Sequence, residues 1–288
     1  MSSTFDDERF LGLTTGEDGR AELTLTDELC RLDGRLYGGT AIAVSCATAR
    51  AATGRPPTWI TTQFIAGAPR GAQLSVQATE LARGGRTSQI RVDATAEDGS
   101  LVFTSMGAAC IPRPNGLTAT FERMPDVAPP SSSEAPGNPF APLARSVGYS
   151  GTLPDLGGKV GYYRVLEYRT PDLLEDPSNP GQICMWVRRR DGVALSPAIA
   201  AFAADMVPLG ISQGTRTLAV GISLDNTVRF GEAEPTEWVL IDVRPHLVSH
   251  GFGHGNAYMW NEHGELLGVA SQIASMVGFD PSGFGSPT

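Results

Sequence analysis

The chain has 288 residues, enough for one large domain or two modest ones, with the 41% hydrophobic and 18% charged content of an ordinary globular protein. Its net charge of −9 and pI near 5.0 exclude general electrostatic binding to nucleic acid, and leave an anionic ligand only where arginines gather locally. No stretch reaches the ~18 apolar residues that span a bilayer, and the acidic start Met-Ser-Ser-Thr-Phe-Asp-Asp-Glu lacks the apolar segment of a secretory signal.

The four cysteines (Cys30, Cys46, Cys110 and Cys184) show neither CxxC nor zinc spacing, and three of them sit in apolar surroundings and read as small core residues. The expectation is a cytoplasmic protein with no cofactor and no metal. In chain order, Leu36 to Ala49 forms the first charge-free stretch and predicts a buried helix, with Gly38 and Gly39 near its start. Strand-like runs follow at Trp59 to Ile65, Ala72 to Leu81, Thr87 to Ala94 and Leu101 to Ile111. The turns between them, Gly84-Gly85 and Asp98-Gly99, are hairpin signals. Residues 112–160 are dense in proline and serine, as in Pro129-Pro130-Ser-Ser-Ser and Pro136-Gly-Asn-Pro139, and read as a connector.

The order then repeats. Ser196 to Val207 predicts a second buried helix, with Ser196 as N-cap, Pro197 at its first position and Pro208 as its stop. Strand-like runs follow at Thr217 to Ser223, Trp238 to Val243, Gly255 to Asn261 and Leu266 to Val277. The segment Glu97-Asp-Gly-Ser-Leu-Val-Phe103 is answered by Glu262-His-Gly-Glu-Leu-Leu-Gly268. Such an internal repeat predicts two tandem α+β units, 1–111 and 161–288, each a helix wrapped by a curved antiparallel sheet, joined through 112–160. The copies differ in one respect that matters. Between Asp191 and Arg216 the only charged side chain is Asp205, inside the second helix, whereas the first helix has no acid. An acid in apolar surroundings must be paired, hydrogen-bonded or neutral, which makes Asp205 the first candidate for chemistry. The other reading is a structural acid bonded to loop N–H groups. Aligning the last hairpins on Gly99 and Gly264 puts Gln272 opposite Gly107, a second asymmetry.

Leu36-Tyr-Gly-Gly, Ala204-Asp205, Ser223-Leu-Asp225, Glu237-Trp-Val-Leu-Ile and Gly264-Glu-Leu-Leu-Gly-Val-Ala-Ser-Gln272 stand in the order found in the acyl-CoA thioesterase II family. The chain resembles that family over roughly residues 20–278. The resemblance implies a double hot-dog fold and hydrolysis of a fatty acyl-CoA by an oriented water, with Asp205, Ser223 and Gln272 as catalytic residues. It also implies acyl-CoA as the partner and a homodimer or higher oligomer. Two positions depart from the family pattern: serine at 223, where threonine is common, and Asp225-Asn226, where Asp-His is frequent. A non-catalytic acyl-CoA-binding protein of the same fold is therefore the alternative. An enoyl-CoA hydratase of related fold is disfavoured, because no histidine precedes residue 246.

The chemistry suits those residue types. Asp205 can take a proton from water, Ser223 can donate and accept, and the Gln272 amide can fix water or a tetrahedral intermediate. Backbone N–H groups at Gly38 and Gly39 are candidates for the carbonyl oxygen. Arg83, Arg86 and Arg91 around one hairpin, and Arg188, Arg189 and Arg190 before the second helix, are candidates for CoA phosphate. His250-Gly-Phe-Gly-His254 resembles a metal pair, since a strand at that spacing would show both histidines on one face, but it has no third ligand at a convincing spacing. Gly251-Phe-Gly-His-Gly255 lacks the lysine of a phosphate-binding loop. No Gly-x-Ser-x-Gly elbow is present.

Overall fold

The computed structural model describes residues 6–16, 18–135, 137–138, 140–151, 153–171, 180–231 and 234–278. Met1 to Phe5 of the acidic start, and Pro136 and Pro139 of the proline-rich connector, lie outside them. The elements run α1 (Asp7–Leu11), β1 (Thr14–Thr15), β2 (Arg20–Thr24), α2 (Gly38–Thr53), β3 (Pro57–Phe64), β4 (Gln73–Arg83), β5 (Thr87–Ala96) and β6 (Leu101–Cys110). After the connector, with α3 (Ala141–Ser146), come β7 (Leu166–Arg169), β8 (Ile183–Arg189), α4 (Pro197–Ala203) and α5 (Val207–Thr215). The chain closes with β9 (Ala219–Phe230), β10 (Val239–Ser249), β11 (Phe252–Asn261) and β12 (Leu266–Gly278).

All twelve strands join one antiparallel sheet in the order β1-β2-β4-β5-β6-β3-β9-β12-β11-β10-β8-β7. The order is a mirror about the β3·β9 pair, so β3 answers β9, β6 answers β12 and β4 answers β10. This is a double hot-dog fold, with α2 as the wrapped helix of one unit and α4 with α5 in the other. At the join, Thr61 faces Thr227 and their hydroxyls are 2.9 Å apart. The repeated hairpins keep Gly99 and Gly264 in the left-handed conformation (φ 81° and 80°), which explains the matching glycines. Small residues let α2 bury almost its whole circumference: Ala41, Ile42, Ala43, Val44, Ala47 and Ala49 are all in the core.

Three expectations need correction. The second helix is not continuous over 196–207. It ends at Ala203, breaks over Ala204 to Met206, and restarts as α5. Pro208 therefore opens a helix instead of stopping one, since a first-turn residue has no intrahelical N–H bond to lose. His250 does not share a strand face with His254, because His250 and Gly251 form the left-handed turn between β10 and β11 (φ 51° and 80°). The connector is not mere spacer: Leu143, Ala144 and Leu156 are buried, and Trp186 donates its indole N–H to the Ala128 carbonyl at 2.8 Å. Among the described residues no helix is long and apolar enough to cross a membrane. Nor do three His, Cys, Asp or Glu side chains among them converge as a metal site would require.

Candidate active site

Asp205 sits in the break between α4 and α5, and the break is what turns its carboxylate toward the other unit. There it meets the start of α2, where Gly39 donates its backbone N–H to the carboxylate. The two glycines are required by this approach. A Cβ at Gly38 would run into the Asp205 carboxylate, and one at Gly39 would run into the Phe202 carbonyl of α4. Helix start and acid are complementary, because first-turn N–H groups carry partial positive charge and lack intrahelical partners. Tyr37, just before α2, donates its hydroxyl to the Asp205 backbone carbonyl at 3.4 Å.

The other partners come from β9 and β12. Asn226 and Gln272 face each other across these strands, and both amides donate to Asp205 Oδ1, at 3.1 Å and 2.5 Å. Gln272 Nε2 is also 2.6 Å from Ser223 Oγ. Ser223 reaches the same side as Asn226 only because the strand bulges. Asp225 pairs with Ile273 and Ser223 with Ala274, so Leu224 is an extra residue that turns outward. Asp225 stabilises the bulge by accepting the Ile273 N–H at 3.0 Å.

Burial pushes the Asp205 carboxyl up to about 6, against the opposing pull of the Asn226 amide, the Gly39 N–H, the Arg31 charge and the Gln272 amide. Near neutral pH it is thus a carboxylate of raised basicity, held by three donors. Gln272 Oε1 and Asn226 Oδ1 are buried with no donor among the described residues, so each retains capacity to accept a hydrogen bond. Asp205 and Ser223 line a cavity of about 320 Å³, whereas Gln272 and Asn226 stand behind them. Gln272 is therefore placed to link acid and hydroxyl, with both of its N–H groups directed to them.

The structure brings Asp205, Ser223, Gln272, Gly38 and Gly39 together, though the Gly39 N–H is occupied by the acid. The phosphate candidates are dispersed, and none lines this cavity. Arg189 is buried between Asp6 and Asp191 and lies over the Phe10 ring. Arg188 bridges Glu167 and Glu237 against Trp238. Both are held in ion pairs with carboxylates, and neither lines the cavity. Arg83 pairs with Glu80, Arg91 pairs with Asp93, and Arg86 donates to the Pro112 carbonyl. Arg190 donates to the Tyr163 and Leu166 carbonyls. The cation that does line the cavity is Arg31, paired with Asp33 at 2.5 Å. No sequence motif singles it out. Asn226 was also missed as a site residue, although its departure from the family pattern was the available signal.

An acid, an amide and a hydroxyl meet where the two units of a double hot-dog protein touch, beside a largely apolar cavity. Residues 26–110 match the acyl-CoA thioesterase N-terminal domain and residues 119–276 its C-terminal domain. The chain belongs to the acyl-CoA thioesterase family. Among solved structures it is similar to a thioesterase candidate from Novosphingobium aromaticivorans DSM 12444, with 27% identity, a TM-score of 0.77, and 92% of this chain and 98% of that one covered. It is also similar to a hot-dog protein of unknown function from Alicyclobacillus acidocaldarius (18% identity, TM-score 0.77, 96% and 100% covered). A third is the acyl-CoA thioesterase II TesB2 from Mycobacterium marinum (17%, 0.72, 95% and 99%). The last two likenesses show the fold alone. No curated protein sequence matches the chain. Family and fold together support thioester hydrolysis in general.

Proposed function

We propose that this protein hydrolyses an acyl-CoA to the free acid and CoA by direct attack of water, with Asp205 as general base. The observation that carries the reading is a desolvated carboxylate at a cavity wall, tied through one glutamine to a neighbouring hydroxyl. Water gives a proton to Asp205 as its oxygen bonds to the thioester carbon. The C–S bond then breaks, and the departing sulfur takes that proton back, leaving CoA thiol and the carboxylic acid. Ser223 orients the water, and Gln272 with Asn226 holds the acid in place. The Gly38 N–H, in the first turn of α2 and outside its helical ladder, is the candidate donor to the carbonyl oxygen as it gains charge. No acyl-enzyme forms.

The test is release of free thiol from a panel of acyl-CoA esters, read with a thiol reagent. Turnover that disappears in Asp205→Asn supports the assignment. An absence of turnover with every ester, in protein that binds acyl-CoA, would instead establish the non-catalytic binder.

A further inference from the structure

The cavity beside Asp205 holds about 320 Å³. A methylene occupies about the space of a water molecule in the liquid, roughly 30 Å³, so about ten chain atoms fill it. Its buried lining residues include Tyr37, Tyr162, Tyr163 and Leu156. Burial keeps these phenols neutral, with Tyr162 pushed up to about 12. Among the described residues, the charged groups lining it apart from Asp205 are Arg31 and Asp33, which pair with each other.

One wall belongs to neither hot-dog unit. Phe140, Leu153, Pro154 and Leu156 come from the connector and stand in the same lining as Pro208 and Val220 of the second unit. They lie on an excursion that is closed at its base. Buried Asn138 donates its side-chain amide to the Pro154 carbonyl at 3.0 Å and accepts the Phe140 N–H at 2.9 Å. The Leu156 N–H reaches the Gly137 carbonyl at 2.6 Å. Inside the excursion, α3 buries Leu143 and Ala144. The connector is thus folded into a lobe whose apolar edge limits the cavity.

We infer that this lobe is the specificity element for the acyl group, and that the protein selects compact acyl chains of up to about ten carbons. A longer tail leaves the chamber and meets water, where it adds nothing to affinity. The inference rests on the acyl-CoA reading above for the identity of the ligand, but not on catalysis.

The test uses S-alkyl-CoA thioethers, which cannot be hydrolysed, titrated into the full-length protein by calorimetry. Affinity is expected to rise about fourfold per added methylene, the equivalent of about 0.8 kcal/mol, from butyl to octyl. It is then expected to stay level from decyl to hexadecyl. Phe140→Ala and Leu153→Ala, both on the partly exposed rim, should move the start of the plateau by two or more carbons. Asn138→Ala unties the lobe and should weaken octyl binding by tenfold or more while leaving butyl binding within threefold. Tightening that continues through hexadecyl, plateaus that stay put in both rim variants, or no binding of any thioether would each overturn the inference. The two readings fail separately. A plateau without thioester cleavage keeps the chamber and removes the hydrolase, whereas cleavage without a plateau does the reverse.

Discussion

The two hot-dog units use equivalent strand positions in opposite ways. Gly107 and Gln272 stand at the same distance past the hairpin glycines Gly99 and Gly264, and each pairs with the strand at the join, Gly107 with Ile60 and Gln272 with Asn226. In the first unit the position has no room for a side chain, because a Cβ at Gly107 would strike the Trp59 carbonyl oxygen and the Ile60 side chain. In the second unit the same pair is two amides turned to an acid. One hydroxyl chain of the first unit is closed on itself: Ser45 lies 2.8 Å from Ser105, Ser105 lies 2.8 Å from Thr62, and Ser45 also bonds the Ala41 carbonyl. The amides beside Asp205 in the second unit leave two buried oxygens without a donor among the described residues. A closed network contributes to stability, and an incomplete one has capacity left for a ligand. The duplication thus separates the two demands, and the helix start of the stable copy serves as donor to the acid of the other.

The largest effect that would break this comparison belongs to Asp205. Asp205→Asn should lower kcat/KM by about 10³-fold, as expected for loss of a positioned general base. Circular dichroism should show the fold intact. Next come Gln272→Ala and Ser223→Ala, each expected to lose on the order of 10²-fold in kcat/KM, as does removal of a preorganised donor. A change in the closed hydroxyl chain of the first unit, Thr62→Val, should leave turnover within twofold and lower stability by about 1 kcal/mol, as measured by urea unfolding. Equal losses of activity in both units would end the argument for asymmetry.

A smaller effect sharpens it. The Asp205 carboxyl lies higher in the folded chain than its ordinary 3.8, so the folded state holds its proton more tightly. The stabilisation this gives is full below about pH 4 and is lost as pH rises through about 6, at up to about 1.4 kcal/mol per pH unit. Comparing wild type with Asp205→Asn in denaturant melts across that window isolates the effect. A difference that stays flat with pH would show an acid that is not desolvated.

Much of this was legible in the letters. Repeated helix-then-strands order and matching turn glycines gave the double unit, because hydrophobic period and left-handed turns are local properties. Asp205 stood out because charge is absent around it. What escaped depends on geometry between segments. The bulge at Leu224 leaves no mark in composition, yet it decides that Ser223 faces inward. Asn226 looked like a lost histidine, but an amide can also donate to the acid, and it does so without titrating. Pro208 carried two meanings, stop and start, and only the packing of α5 chose between them. The ion pairs of Arg188 and Arg189 could not be read in the letters, because their partners Asp6, Glu167 and Glu237 lie in other segments of the chain. The connector's proline content hid a lobe held by one buried asparagine.

The most direct test of the central claim, that the second unit's buried acid acts as the carboxylate base, is the pH dependence of kcat/KM for a medium-chain acyl-CoA in the wild-type enzyme. The acid must be ionised in the free protein, so the rate should climb with pH, reach half its maximum at about pH 6 and level off above it. A rate already flat from pH 5 to pH 8, or a midpoint near the ordinary carboxylate value, would contradict it.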